Sequence, residues 1–234
     1  MRKKDIKVWE FFPDSPWEKG KEKVILIHGL FMYGFIMNPI AEYLAKKNYS
    51  PLFYDYPTIK YKVEEHGERL ALFLEEYFRE AEKNSYSGKL HFVTHSMGGL
   101  ILRKALQLLP GNDREKVGNI VMIAPPNKGS DVAKTALKLL PFPAKKIRPL
   151  EGLSSVENSF ANRENMPEEF GKRIGILGAE NDLMVRKEYT FLSVAGERVF
   201  LPGQHTLILF RQDAKKAVYT FLKEGSFPPE MKRE

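Results

Sequence analysis

The stretch that decides the fold is Thr94-His95-Ser96-Met97-Gly98-Gly99-Leu100. It follows an alternating apolar run at 89–93 and leads into a run of helix-forming residues at 100–109. A serine flanked at two residues by small groups, between a strand and a helix, is typical of a nucleophile elbow, whose sharp turn exposes the serine Oγ above the sheet. Two glycines after the serine leave room for the helix to cross close to the strand. The stretch therefore predicts Ser96 as a nucleophile, although Thr94 stands where glycine is usual, and an ordinary turn capped by this serine is the alternative.

Upstream, the apolar run 23–27 reads as a buried strand and ends in the turn His28-Gly29-Leu30. In a hydrolase with such an elbow, a turn at this place aims a backbone N–H at the developing oxyanion. A second N–H comes from the residue after the nucleophile, which is Met97. Leu30 and Met97 are therefore predicted oxyanion donors by position, whatever their side chains.

Downstream, an acid and then a histidine are required, each at the end of a strand. The run 173–179 reads as a strand that opens onto Glu180-Asn181-Asp182, and the run 197–202 reads as one that opens onto Gly203-Gln204-His205. The chain order serine, aspartate, histidine then matches that of a nucleophilic triad on a strand-and-helix fold. Asp182 is the favoured acid, and Glu180 is its rival.

The chain has five histidines. His28 belongs to the predicted oxyanion turn, and His95 abuts the serine. His91 lies within a strand, and His66 lies on a long helix. His205 is therefore the predicted base, with a helix-capping residue as the alternative interpretation.

On these residues the chain resembles the α/β-hydrolase superfamily, and within it the lipase and carboxylesterase branch. The resemblance covers about 24–210 and rests on His28-Gly29-Leu30, on 94–99, on Asp182 and on His205. The segment 123–130 is also similar to one that lipases carry after the strand following the nucleophile helix. The resemblance implies one domain over 1–234, with an α/β-hydrolase fold, a mostly parallel central sheet and helices on both faces. It also implies a serine hydrolase that cleaves carboxylic esters of small molecules or lipids, without a cofactor.

The chemistry of ester cleavage explains the residue types. A serine hydroxyl is a poor nucleophile near neutral pH, so His205 would accept its proton during attack. Asp182 would hold the imidazole tautomer and stabilise the imidazolium. A thioesterase or an amidase would use the same groups on another leaving group. A non-catalytic ligand-binding protein on the same fold is the alternative from another functional class.

Composition fits a globular enzyme. A chain of 234 residues, 43% of them apolar, can bury one sizeable core. Cysteine is absent, which excludes disulfides and a thiol nucleophile. No paired His or Cys motif suggests a metal, and no nucleic-acid-binding module accompanies the net charge of +7. The basic residues among 1–5 precede no apolar run and no stretch reaches membrane-spanning length, so we expect a cytoplasmic protein. The oligomeric state stays open.

The segment 127–171 is longer than a simple crossover needs. An apolar helix-like run at 132–140, followed by Pro141-Phe142-Pro143, is what a lid or cap would show, and an ordinary crossover helix with a long surface loop fits the segment equally well. Six basic residues against one acid, Asp131, between 128 and 148 leave contact with a membrane surface open, although a solvated face is the plainer interpretation. Thr94 and Asp131 are read as structural. After the oxyanion turn, six apolar residues are candidates for an acyl pocket or for core packing: Phe31, Met32, Tyr33, Phe35, Ile36 and Met37.

The remaining periodicity predicts strands at 51–56 and 117–124, an amphipathic helix over 63–81 and a closing helix at 214–222. Asn38-Pro39 predicts an N-cap followed by a helix to Lys47.

Overall fold

The computed structural model describes residues 6–10, 20–139, 146–163 and 166–231. One sheet of seven strands organises these residues in the order β1-β3-β2-β4-β5-β6-β7. All neighbouring pairs are parallel except β1 with β3. The strands are β1 Lys7–Glu10, β2 Glu22–Ile27, β3 Tyr49–Asp55, β4 Leu90–His95, β5 Val117–Ile123, β6 Ile174–Ala179 and β7 Glu197–Leu201.

Helices follow most of the strands along the chain. The α-helices are α1 Asn38–Ala45, α2 Val63–Lys83, α3 Met97–Leu108, α4 Gly111–Arg114, α5 Asp131–Leu139, α6 Leu150–Leu153 and α7 Gln212–Glu224. Short 3₁₀ helices lie at Gly34–Met37, Glu168–Arg173, Lys187–Thr190, Leu207–Phe210 and Pro229–Met231. Crossover helices between parallel strands must lie on the faces of a sheet, so a two-sided core is expected.

The sheet separates two apolar cores. Successive residues of a strand point to opposite faces, so Ile25 and Ile27 of β2 pack in one core while Val24 and Leu26 pack in the other. The first core includes the buried faces of α2 and α3, and the second includes those of α1 and α7. The mostly parallel sheet with helices on both faces confirms the predicted fold class.

The predicted elements recur with small shifts of their ends. The helix predicted over 63–81 is α2, and the closing helix predicted at 214–222 is α7. The short edge strand β1 has no counterpart in the sequence prediction. The prediction that Asn38 is an N-cap is wrong. The 3₁₀ helix Gly34–Met37 runs directly into α1, so Asn38 is the first residue of α1.

The insertion predicted at 127–171 is anchored over much of its described length. Leu150, Leu153, Phe160 and Ala161 are buried in the core that includes α2 and α3. The buried Arg103 of α3 donates hydrogen bonds to the main-chain oxygens at 127, 161 and 163. By contrast, α5 buries only its residue 133. A mobile lid therefore stays a prediction that concerns α5, while the stretch Pro141-Phe142-Pro143 that follows it lies outside the described residues, as do 1–5.

Within the part of the chain that the structure covers, no helix combines the length and the apolarity needed to span a membrane.

Candidate active site

Ser96 lies in a sharp turn between the carboxyl end of β4 and the first residue of α3. Its backbone has φ 52° and ψ −126°, a conformation that residues with a side chain rarely adopt. Main-chain hydrogen bonds hold this conformation on both sides: the Ser96 N–H donates to Ile123 O (2.9 Å), and the Gly99 N–H donates to Ser96 O (3.0 Å). Backbone strain of this kind persists only where the surroundings enforce it, and it is common at functional sites.

Close packing around the turn requires glycine at two positions. A Cβ at Gly98 would lie 2.5 Å from Ile27 O and 2.8 Å from His28 O, so α3 approaches the main chain at the end of β2. A Cβ at Gly29 would lie 2.9 Å from the Cβ of Ser96. The sequence predicted that glycine leaves space for close packing at this turn. In the structure, the main chain at the end of the neighbouring strand β2 occupies that space.

Thr94 fits the first small position because it faces a glycine. A Cβ at Gly99 would lie 3.3 Å from Thr94 Oγ1 and 3.2 Å from Pro125 Cβ. The threonine thus occupies space that a side chain at position 99 would need, which explains how this chain departs from the usual glycine.

The structure brings the predicted serine, histidine and acid into one hydrogen-bonded chain. Ser96 Oγ lies 2.9 Å from His205 Nε2, and His205 Nδ1 lies 2.7 Å from Asp182 Oδ2. A carboxylate can only accept, so the Nδ1–H of His205 donates to Asp182 and leaves Nε2 to accept the serine proton. Histidine and acid come from the loops after β7 and β6, which are neighbours in the sheet.

Asp182 is held in place by its other oxygen. Asp182 Oδ1 accepts the N–H groups of Met184 and Val185, each at 2.8 Å, so the carboxylate is fixed while it faces His205. The Asp182 side chain is almost fully buried, whereas the rival Glu180 is exposed. The main-chain N–H of Glu180 instead continues the hydrogen bonding between β6 and β7 by donating to Leu201 O (2.9 Å). The geometry agrees with the preference for Asp182.

The turn after β2 is fastened to the carboxyl end of β3. The Tyr56 hydroxyl donates to His28 O (2.7 Å), and the two rings stack with centroids 4.5 Å apart. The Phe31 N–H donates to Thr58 Oγ1 (3.2 Å), and Phe31 itself has a φ of 60°. His28 Nε2 lies 3.0 Å from Asp55 Oδ1. The predicted oxyanion turn is therefore shaped by residues 55–58, which no motif in the sequence marks as functional.

The two predicted oxyanion donors are main-chain groups at the ends of elements. Met97 is the first residue of α3, and the first four N–H groups of a helix have no intrahelical acceptor. Within the described residues, the amides of Leu30 and Met97 have no hydrogen-bond acceptor among protein groups. Their placement leaves them free for an acceptor on a ligand.

The other histidines are buried. His95 is fully buried, and burial, followed by the charge of His205, lowers its pKa to about 3. His66 of α2 is also buried, and burial lowers its pKa to about 4, with Arg69 and His28 acting in the same direction. His91 is buried in β4 and lies 3.0 Å from Glu22, and its pKa is lowered mainly by burial. Of the five, His205 alone faces Ser96 Oγ in the described part of the chain.

Asp131 tethers α5 to the loop that carries the acid. Its carboxylate accepts the hydroxyls of Ser155 (2.7 Å) and Tyr189 (2.9 Å) and lies 3.3 Å from Arg186. These hydrogen bonds, that of Ser155 first, lower the Asp131 pKa. Ser130 Oγ donates to Met184 O (2.7 Å), two residues after the acid. Asp131 is therefore structural, as interpreted from the sequence, and Ser130 was not foreseen.

The acyl-pocket candidates divide by exposure. Phe31, Tyr33 and Phe35 are each more than half exposed, with the rings of Tyr33 and Phe35 stacked. Met37 is fully buried in the core that includes α1, which is the packing interpretation for this residue. The structure describes no group of three His, Asp or Glu residues that could hold a metal ion.

Part of the chain matches a known protein family. Residues 18–128, just under half of the chain, match the family model described as "Putative serine esterase (DUF676)". No curated protein matches the sequence.

Similar solved structures include lipases and an esterase. They include the mature lipase BlEst2 of Bacillus licheniformis, with 17% identity, a TM-score of 0.68, and 94% of this chain and 98% of that chain covered. Est1E of Butyrivibrio proteoclasticus, solved with ferulic acid, has 16% identity and a TM-score of 0.63, covering 94% and 95% of the two chains. The monoacylglycerol lipase of Paleococcus ferrophilus has 17% identity and a TM-score of 0.60, covering 95% and 100%. The sheet, the elbow and these structural neighbours show that this chain has the α/β-hydrolase fold.

Proposed function

We propose that this chain is a serine hydrolase that cleaves carboxylic esters through an acyl-enzyme on Ser96. The observation that carries the proposal is the hydrogen-bonded chain from Ser96 Oγ through His205 to Asp182. A ligand-binding protein on the same fold has no need of a strained serine aligned with a histidine and a buried acid. The matched family and the lipase and esterase neighbours support esters as the substrate class.

In the first half of the reaction, Ser96 Oγ attacks the ester carbonyl carbon while its proton passes to His205 Nε2. The carbonyl oxygen becomes an oxyanion, and the N–H groups of Leu30 and Met97 donate to it. One such donor contributes roughly 3–4 kcal/mol in a well-studied protease. Collapse of the tetrahedral intermediate breaks the bond to the alcohol oxygen, which takes the proton from His205 and leaves.

In the second half, water attacks the acyl-enzyme carbonyl and gives a proton to His205 Nε2. The Ser96–acyl bond then breaks, the serine oxygen recovers the proton, and the carboxylic acid leaves. Asp182 stays ionised throughout and stabilises the imidazolium that forms twice in the cycle. A thioester or an amide would enter the same cycle with a different leaving group, so the test must compare the three.

A fluorophosphonate probe with mass spectrometry tests the nucleophile directly. We expect one adduct, mapping to Ser96 in the wild type, and no adduct in Ser96→Ala. Ser87→Ala is the matched control, since Ser87 is exposed and precedes β4, whereas Ser96 follows that strand. Hydrolysis of p-nitrophenyl esters, a thioester and an anilide by the same three proteins ranks the leaving groups. An adduct on another residue, or equal turnover by Ser96→Ala, would contradict the proposal.

We infer in addition that esters presented at a lipid surface are the second candidate substrate class. Exposed large apolar side chains are concentrated in the segments that follow the carboxyl ends of the parallel strands, as Ser96 itself follows β4. They are Phe31, Tyr33, Phe35, Ile59, Val132, Leu139, Val156, Leu183, Met184, Leu207 and Phe210. Lys128, Lys134 and Lys138 lie beside α5 or on it, and their charges would favour an anionic surface.

Sedimentation with phosphatidylglycerol vesicles tests this second class. Phe35→Ser should weaken vesicle binding severalfold. Leu72→Ser should not, although Leu72 of α2 is about as exposed as Phe35. Added salt should weaken binding if the lysines contribute. Equal binding by both variants would remove the lipid-surface candidate without affecting hydrolysis of soluble esters.

A further inference from the structure

His95 links the nucleophile to the main chain of the base. It is the last residue of β4, directly before Ser96, and it is fully buried. Its Nε2 lies 3.0 Å from the main-chain oxygen of His205, and the two imidazole rings lie 4.9 Å apart at 52°. The side chain therefore spans from the elbow after β4 to the loop after β7, which lie three strands apart in the sheet.

The hydrogen bond determines the tautomer of His95. A main-chain carbonyl can only accept, so Nε2 carries the proton and donates it to His205 O. Nδ1 is then an unprotonated acceptor, and within the described residues it has no hydrogen-bond partner. A Cβ on Gly29 would lie 3.3 Å from this Nδ1, so the ring fills the space between the turn after β2 and the loop of His205.

The loop that carries His205 needs such a fastening. It contains Gly203 at φ 144°, a conformation that glycine adopts and other residues rarely do. On the side of the acid, the Asn181 N–H donates to Gly203 O (3.0 Å). On the side of the nucleophile, His95 donates to His205 O. Both attachments fix the main chain from which the His205 ring projects between Ser96 and Asp182.

We propose that His95 is a positioning residue for the base, which holds the His205 main chain by its Nε2–H so that the imidazole stays aligned with Ser96 Oγ. The proposal rests on the proposed hydrolase function and adds to it a residue that touches neither the substrate nor the reacting atoms. Because burial keeps the His95 pKa at about 3, the ring stays neutral near neutral pH, and the hydrogen bond from its Nε2–H is kept there.

Three substitutions separate the hydrogen bond from the volume of the ring. His95→Gln keeps an N–H donor near the position of Nε2, His95→Asn places its amide near Nδ1, and His95→Leu keeps bulk without a donor. A positional error of about 1 Å costs roughly 100-fold in rate. We therefore expect kcat on p-nitrophenyl acetate to fall about 10- to 100-fold in the Asn and Leu variants with KM little changed, and about 5-fold or less in the Gln variant.

Proton NMR of the His205 Nδ1–H, which donates to Asp182, gives a second readout that needs no turnover. Its low-field resonance should persist in wild type and His95→Gln and should shift or broaden in His95→Leu and His95→Asn. Thermal unfolding identifies any variant that fails to fold, and the remaining variants then carry the test.

The outcomes distinguish the two proposals. If the wild type is active and all three variants have its kcat and its NMR spectrum, the positioning role is overturned and the hydrolase function stays intact. Equal losses in the Gln, Asn and Leu variants would also overturn it, because they would indicate ring packing. A wild type without turnover or adduct would refute the hydrolase function, and the resonance of His205 would still decide whether His95 holds its loop.

Discussion

Adding one methyl group at Gly98 should disturb both stability and catalysis, because this position lies against main chain. An alanine Cβ there would lie 2.5 Å from Ile27 O, whereas ordinary contact begins at 3.4 Å, so α3 and the end of β2 must separate by about 0.9 Å. Ile27 belongs to a central strand paired on both sides, so it cannot yield freely. The movement would displace the turn from His28 to Leu30 relative to Ser96.

Two magnitudes follow from this displacement. Overpacking lowers the free energy of unfolding by about 1–3 kcal/mol, and we take the upper end because the side chain would meet a main-chain carbonyl. Against this, alanine is favoured over glycine in a helix by about 1 kcal/mol. The net loss is about 2 kcal/mol, or about 4–8 °C in Tm for a chain of this size. Displacing an oxyanion donor by nearly 1 Å should lower kcat/KM about 100-fold.

Gly99→Ala is the matched control, one residue along the same helix. Its Cβ would meet Pro125 Cβ at 3.2 Å and Thr94 Oγ1 at 3.3 Å, contacts that small side-chain shifts relieve. We expect its stability within about 1 kcal/mol of wild type, and its kcat/KM within a fewfold. The assays are thermal unfolding and p-nitrophenyl acetate hydrolysis. If Gly98→Ala keeps the Tm and the kcat/KM of the wild type, the reasoning is refuted, because the close approach of α3 to β2 would then not position the turn from His28 to Leu30.

Three further predictions follow from the site and its surroundings. Asp182→Asn should lower kcat about 1,000- to 10,000-fold by allowing the wrong His205 tautomer, while Glu180→Gln should stay within a fewfold in the same ester assay. His66 has a folded pKa of about 4 against 6.5 unfolded, so the unfolded state binds the extra proton and stability falls as pH drops from 6.5 towards 4. His66→Gln should reduce that slope by up to about 1.4 kcal/mol per pH unit in denaturant titrations, and an unchanged slope would exclude this histidine as its source. Phe31→Ala should change the preferred acyl length across a series of p-nitrophenyl esters, and an unchanged profile in a folded variant would remove Phe31 from the acyl pocket.

Local patterns were sufficient for the elements that present the site. Apolar alternation and periodicity predicted six of the strands and the helices α2, α3 and α7, because burial on one or two faces is visible in the order of residues. The edge strand β1 escaped, since a short strand paired on one side leaves little signal. The N-cap at Asn38 was misjudged because the preceding turn already has helical geometry.

By itself, the sequence determined the mostly parallel α/β architecture, the serine on its strained turn, and an acid and a histidine at the ends of later strands. These are local properties of strand ends, tight turns and small residues. Only the tertiary structure decided that Asp182 and not Glu180 meets His205, that Asp55, Tyr56 and Thr58 shape the turn after β2, and that His95 reaches the loop after β7. Each of these contacts depends on the order and register of the strands in the sheet, and the contacts join residues that lie up to 110 positions apart in the chain.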